Sequence, residues 1–224
     1  MSNFATAFAY ESGQLLRKVN LRSGLLTVLI LAAFGVLVPW MKGFDFLDTR
    51  YILAYGSIGL LFAGPLMAEL LSVDGGALQA PIVYPARIAL VSLYGWGVAT
   101  LMLAMGFAVV NIQHWFGKIL VPPTAVLVSG SVMSLLAAVL VAEVTALLTL
   151  KFSAGVAKGV LRLIFLGTLA LIVFGPPGFG DALSLAMTTE ALPSLAWKVS
   201  TVLALLNAGL LVALHTSTKP AADA

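Results

Sequence analysis

Two acidic residues lie inside long apolar runs of this sequence, where an ionisable side chain is costly. They are Glu69 and Glu143. An acid in such surroundings is a functional-site hypothesis by default. We expect Glu69 to form a structural ion pair with Arg87. We expect Glu143 to pair with a basic residue such as Arg162, or to face a polar cavity. A direct role of these acids in carrying a solute across a membrane stays open beside the ion-pair interpretation.

The remaining residues that could do chemistry form no catalytic or metal-binding set. His114 and His215 are far apart and have no cluster of acids or cysteines around them. The chain has no cysteine, which excludes disulfides and thiolate-bound metals. It also lacks the G-x-x-x-x-G-K-[ST] motif, so it does not bind ATP through a P-loop. We therefore expect no enzyme activity, no catalytic residue, no metal and no cofactor in this chain.

A short stretch between two apolar runs has helix start and stop signals of its own. Asp74 is suited to cap a helix that begins at Gly75. Gly75 and Gly76 permit a sharp turn and a close backbone approach. Pro81 and Pro85 are expected to end the short helix and to fix the return into the next run. The pattern predicts a shaped element over residues 74–85.

The start of that element, "DGGA", resembles the metal-binding motif of membrane CDP-alcohol phosphotransferases. In that family an Ala-Arg pair and two further aspartates on the same helix complete the site. Here Leu78 and Gln79 follow, and the next apolar run contains no aspartate. Without those carboxylates a divalent metal has no ligands, so this enzyme class is rejected.

The composition places the chain in a membrane. Of its 224 residues, 61% are hydrophobic and 9% are charged, and the mean hydropathy is +1.07. Soluble domains have roughly 25% charged residues. The net charge of +3 is not arranged as a basic stripe with interleaved aromatics, so nucleic-acid binding is excluded.

Six apolar runs are long enough to cross a bilayer, for which about 20 residues are needed. We therefore predict an all-α integral membrane protein with six transmembrane helices in a single domain, 1–224. The predicted spans are 23–40, 51–73, 86–110, 120–150, 159–175 and 198–216.

The distribution of Lys and Arg predicts the orientation. Eight basic residues fall on the side of the two termini, and the four on the other side are offset by acids. The positive-inside rule therefore places both termini and the element 74–85 in the cytoplasm. The terminal-side residues are Arg17, Lys18, Arg22, Arg87, Lys151, Lys158, Arg162 and Lys219.

Two further segments are predicted outside the spans. Residues 1–22 have apolar residues on one helical face, which is typical of a helix lying on the cytoplasmic surface; a frayed basic terminus is the alternative. Residues 176–197 are too apolar for an ordinary loop and are broken by prolines, including Pro193. A re-entrant segment dipping into the outer leaflet explains them, and an amphipathic surface loop is the alternative.

The fourth span has small residues at four-residue spacing, namely Gly130, Ser134, Ala138 and Ala142. Such a face lets another helix approach closely. Packing within the chain is the favoured interpretation, and a dimer contact is the alternative.

This plan resembles the permease subunit of type-2 ATP-binding-cassette exporters, in which the element after the second span is a coupling helix. The residues that carry the resemblance are Glu69, Gly75, Gly76, Ala77, Leu78, Gln79, either Pro81 or Pro85, and Arg87. Asp74, with Gly75, Leu78 and one of the two prolines, also resembles a subfamily of these permeases. The chain departs from the family in having "ELLSVD" where a more charged run, often with Glu-Arg, is usual. The similarity implies a bacterial inner-membrane protein that works with a second permease copy or a homologous permease.

The resemblance also implies a partner subunit with a P-loop ATPase, which binds ATP and Mg. The apolar residues Leu78, Ile82 and Tyr84 would enter a cleft of that ATPase, and Arg87 would meet an acid there. An amphipathic or lipid-like substrate is the expectation. The haem-exporter B subunit of cytochrome c maturation is a similar subfamily, and a non-transporting membrane assembly protein is the other alternative.

Overall fold

The computed structural model of the protein describes residues 4–18, 29, 83–113, 124–153, 155–157, 159–161, 163–164 and 192–218. These residues are helical apart from a short break after Lys151, and no strand occurs among them. Four helices have both ends within the described residues, namely α1 (Phe4–Lys18), α2 (Val83–Gln113), α3 (Thr124–Lys151) and α4 (Leu192–Thr218). The prediction of an all-α chain is confirmed for this part of the sequence.

Helix α2 begins earlier than the sequence pattern predicts. The predicted third span starts at residue 86, whereas the helix already includes Tyr84 and Pro85. Pro85 is the third helical residue, where the missing N–H group has no intrahelical acceptor to lose. The last three residues of the predicted element 74–85 are therefore the first turn of α2. With 31 residues, α2 is about 46 Å long at 1.5 Å per residue.

Helix α4 also begins before its predicted start. The sequence pattern puts a break at Pro193 and starts the last span at residue 198, but the helix runs without interruption from Leu192. Proline favours the first helical turn because its fixed φ suits the helix and its missing N–H costs nothing there. The correction moves residues 192–197 from the predicted outer re-entrant segment into the last helix. The rest of that segment lies outside the described residues.

Helix α3 lies between α2 and α4 and packs against both, and α1 packs against α2. The indole Nε1 of Trp96 on α2 donates to the backbone oxygen and the hydroxyl of Ser131 on α3, both at 3.2 Å. On the other side, the amide Nδ2 of Asn207 on α4 donates to the backbone oxygen of Leu136 at 3.0 Å. These two contacts identify which sides of α3 face its two neighbours.

Two stretches of the described helices are long and apolar enough to cross a membrane, judged by length and composition. They are Leu127–Thr149 in α3 and Pro193–Thr216 in α4. The six-span arrangement extends beyond the residues that the structure describes.

The middle of helix α4 exposes large apolar side chains and buries the two polar residues Ser200 and Asn207. Lys198 and His215, nearer its ends, are exposed. Leu205 and Val212 are 70% and 65% exposed, whereas Ser200 and Asn207 are 4% and 5% exposed. A surface helix of a soluble protein has the opposite distribution, with its apolar stripe toward the core. The distribution in α4 is expected of a helix that is surrounded by lipid, because its exposed face then contacts lipid chains and not water.

Candidate functional site

A buried ion pair joins α1 to the beginning of α2. The guanidinium of Arg87 donates through Nε to Oε2 of Glu11 at 2.7 Å and through Nη2 to Oε1 at 3.1 Å. Both side chains are 3% exposed. Two parallel charge-assisted hydrogen bonds of this kind fix the relative orientation of the groups as well as attracting them.

The ion pair lies where the two helices pack against each other. Arg87 is flanked by the buried residues Ala86 and Ile88, in the first two turns of α2. On α1, Glu11 is buried while its neighbour Tyr10 is 64% exposed. The carboxylate of Glu11 therefore points to the helix interface and not to the surrounding medium. Helix α1 is thus attached to α2 by two charge-assisted hydrogen bonds.

Glu11 is the functional residue that sequence reasoning missed. It is the only acid among the first 44 residues, and Arg87 is the only Lys, Arg, Asp or Glu between residues 75 and 117. The isolation of Arg87 in an apolar run is a signal that it pairs with a distant acid. Glu11 has no such signal of its own, because Arg17 and Lys18 lie on the same helix. The sequence interpretation instead considered Glu69 and an acid of a partner protein for Arg87.

Most of the predicted coupling residues lie outside the described part of the chain. This applies to Glu69, Asp74, Gly75, Gly76, Leu78, Gln79, Pro81 and Ile82. Tyr84 and Pro85 lie in the first turn of α2, and Pro85 is exposed. Arg87 follows on the same helix but is buried against α1. The structure thus places the end of the predicted element directly beside the ion pair.

Glu143 is the second buried acid. Its side chain has no exposed surface, and neither carboxyl oxygen has a hydrogen-bond partner among the described residues. Its neighbours Ala142 and Ala146 are fully buried methyl groups, and the hydroxyl of Thr145 is already bonded to the backbone oxygen of Val141 at 2.6 Å. The predicted partner Arg162 lies outside the described residues.

The small-residue face of α3 is mostly buried. Ala138 and Ala142 have no exposed surface, Gly130 is buried and Ser134 is half-buried. Ala146 continues the same spacing and is also fully buried. This burial is what close packing within the chain requires of such a face.

Neither the histidines nor the other residue types that bind metals form a further site among the described residues. His215 lies exposed in the last turn of α4, and His114 is outside the described residues. Among the described residues, no three His, Cys, Asp or Glu side chains are grouped as a metal ion would require.

No protein-family model, curated protein or solved structure matches this chain. Among the described residues, the buried charged side chains are those of Glu11, Arg87 and Glu143.

Proposed function

We propose that the chain is the permease subunit of an ATP-driven exporter of the second ATP-binding-cassette type. In this proposal it crosses a bacterial inner membrane six times with both termini in the cytoplasm. It works as a dimer with separate ATPase subunits and moves an amphipathic or lipid-like substrate. The observation that carries the proposal is the buried pair between Glu11 and Arg87.

The membrane part of the proposal is supported by the surface of the helices. The middle of α4 exposes large apolar side chains and buries Ser200 and Asn207, and α3 has no charged residue in Leu127–Thr149 except Glu143. The third span is proposed from the sequence of α2, which has 31 residues and Arg87 as its only charge. The first, second and fifth spans are proposed from the sequence alone.

The coupling part of the proposal is supported by where the ion pair lies. A movement imposed on residues 74–85 by an ATPase has to reach the helices that enclose the substrate path. Arg87 lies two residues beyond the end of that element and is held to Glu11 by two hydrogen bonds. α1 and the first turns of α2 would therefore move together, and the surface helix would carry the displacement along the membrane plane.

In this mechanism Arg87 acts inside the chain. Its guanidinium is buried against α1, so contact with the ATPase is left to Leu78, Ile82 and Tyr84. These apolar residues fit a cleft of a protein partner, and the glycines Gly75 and Gly76 permit the short element to be compact. The ATPase supplies ATP and Mg, and this chain supplies the surface that its movement acts upon.

Co-purification tests the proposal. The tagged chain, extracted in mild detergent from its native membrane, is expected to bring a P-loop ATPase with it. Leu78→Asp and Tyr84→Asp are expected to abolish this association, because a charge in an apolar cleft is costly. Phe152→Asp is the matched control, since Phe152 is a 53% exposed apolar residue that the proposal also places near the cytoplasmic surface.

Two outcomes contradict the proposal. One is a chain that purifies without any ATPase, which favours the non-transporting assembly protein. The other is an association that survives both aspartate substitutions or is lost equally in Phe152→Asp. A haem-exporter-like role would instead appear as ATPase association combined with loss of cytochrome c when the chain is removed.

A further inference from the structure

Glu143 has no part in the coupling mechanism proposed above, yet its carboxyl group is buried without a hydrogen-bond partner among the described residues. It is the only Lys, Arg, Asp or Glu between Lys118 and Lys151. Its carboxyl group is fully buried, and both oxygens are unsatisfied among the described residues. Buried polar atoms in proteins are nearly always hydrogen-bonded, so two such atoms on one side chain require an explanation.

Glu11 and Glu143 differ in whether their carboxyl oxygens have hydrogen-bond partners. Both are buried, but Glu11 accepts two hydrogen bonds from a guanidinium. An ionised carboxylate with no cation and no donor in an apolar interior costs several kcal/mol or more, in the range that makes such groups take up a proton instead. The neutral acid has a much smaller cost and needs one acceptor for its O–H.

Glu143 lies on the side of α3 that faces α4. Glu143 follows Leu136 by seven residues, about two helical turns, so both lie on the same side of α3. The backbone oxygen of Leu136 is bonded to Asn207, which identifies this side as the one that faces α4. The amide oxygen of Asn207 is buried and unsatisfied among the described residues, as is the hydroxyl of Ser200 two turns before it.

No titratable group of α2 or α4, the two described helices that pack against α3, is hydrogen-bonded to the carboxyl of Glu143. α2 contributes Tyr84, Arg87 and Tyr94, and Arg87 is bonded to Glu11. α4 contributes Lys198 and His215, both exposed. Neither oxygen of Glu143 is hydrogen-bonded to any of them.

We propose that Glu143 is a proton-binding site inside the membrane, a neutral carboxyl group at the interface of α3 and α4 that takes up and releases one hydrogen ion. Neither oxygen of Glu143 is hydrogen-bonded to α4, since Asn207 lies level with Leu136, about 10 Å along α3 from Glu143 at 1.5 Å per residue. The inference rests on the membrane location proposed above, and it does not depend on the ATPase partner.

Labelling with a hydrophobic carbodiimide tests the site, because this reagent needs a protonated carboxyl in an apolar environment. The acid proton passes to a carbodiimide nitrogen, the carboxyl oxygen bonds to the central carbon, and rearrangement leaves a stable N-acylurea. The full chain in native membranes is treated with dicyclohexylcarbodiimide, digested and analysed by mass spectrometry. Glu143 is expected to gain the mass of one intact carbodiimide, and Glu11, equally buried but ion-paired, is expected to gain none.

Two further arms complete the test. Labelling of Glu143 is expected to fall when the pH is raised and to return when it is lowered, and Glu143→Gln is expected to lose all label. Absence of label at Glu143 in the wild-type chain overturns the proposal. So does label that appears only after Arg162→Ala, since that result assigns Glu143 to an ion pair.

A separate measurement distinguishes failure of the site from failure of the membrane location. Membranes are extracted with alkaline carbonate, which removes peripheral proteins and leaves integral ones. A chain retained in the membrane but unlabelled at Glu143 overturns the proton site alone. A chain released by carbonate overturns both the site and the membrane location on which it rests.

Discussion

Breaking the pair between Glu11 and Arg87 is expected to destabilise the protein strongly. Glu11→Ala removes two charge-assisted hydrogen bonds, at 2.7 and 3.1 Å, and leaves the guanidinium of Arg87 buried. Each such bond contributes about 1.5–3 kcal/mol, and removal of one partner from a buried ion pair costs about 3–5 kcal/mol. We therefore expect a loss of about 3–5 kcal/mol in the free energy of unfolding.

The stability is measured by unfolding the purified chain with SDS from mixed micelles and following its helical circular dichroism. Glu11→Leu combined with Arg87→Met is expected to recover most of the loss, because an apolar pair of similar volume has no charge to desolvate. Lys151→Ala, at an exposed helix end, is the control and should leave the unfolding midpoint unchanged. A loss below about 1 kcal/mol in Glu11→Ala would refute the reasoning, since that is the value of an exposed pair.

A second measurement tests whether Glu11→Ala makes α1 itself more mobile. Gly13 is exposed on this helix, and an added Cβ there meets no atom within 4 Å. The chain has no native cysteine, so a nitroxide on Gly13→Cys reports α1 alone. Its mobility should rise in Glu11→Ala and stay low in Lys151→Ala. Unchanged mobility in Glu11→Ala would show that α1 is held by other contacts.

Three further predictions concern the helices around α3. Asn207→Leu removes the hydrogen bond to the backbone of Leu136 and should cost about 1 kcal/mol in the same SDS titration; no change would mean that the bond has no net value. Ala138→Leu adds volume at a fully buried position and should lower the free energy of unfolding by about 1–3 kcal/mol. Ala204→Leu, on the exposed side of α4, is the control and should leave it unchanged. Equal effects of the two substitutions would contradict the packing of α3. A nitroxide on Gly209→Cys should collide more with oxygen than with a water-soluble nickel chelate in liposomes, since an added Cβ there is open and its helix face is apolar; the reverse ratio would place α4 in water.

The sequence predicted the helical class and the approximate position of the long helices, because apolar runs of this length form helices in nearly all proteins. It did not predict the first turns of α2 and α4. Pro85 and Pro193 were interpreted as breaks, although a proline is equally suited to the first helical turn. A proline marks a helix boundary in either case, and only tertiary context decides on which side of it the helix lies.

The two buried acids show where sequence reasoning stops. Glu143 was recognised because its own surroundings are apolar, which is a local property of the sequence. Glu11 was not, because it lies in a polar N-terminal stretch and its importance comes from a residue 76 positions away. Helical periodicity describes the face of one helix, and it contains no information about which distant helix that face meets.

The separation of Glu11 and Arg87 along the chain has a consequence for biosynthesis. Residue 11 leaves the ribosome first, and its partner follows after 76 more residues have been added. At roughly 5–20 residues per second, this interval is about 4–15 s. During it, the carboxylate of Glu11 cannot yet be neutralised by Arg87, and α1 has no α2 to pack against. A nascent chain that is truncated before residue 87 therefore has neither the ion pair nor the packing of α1 against α2.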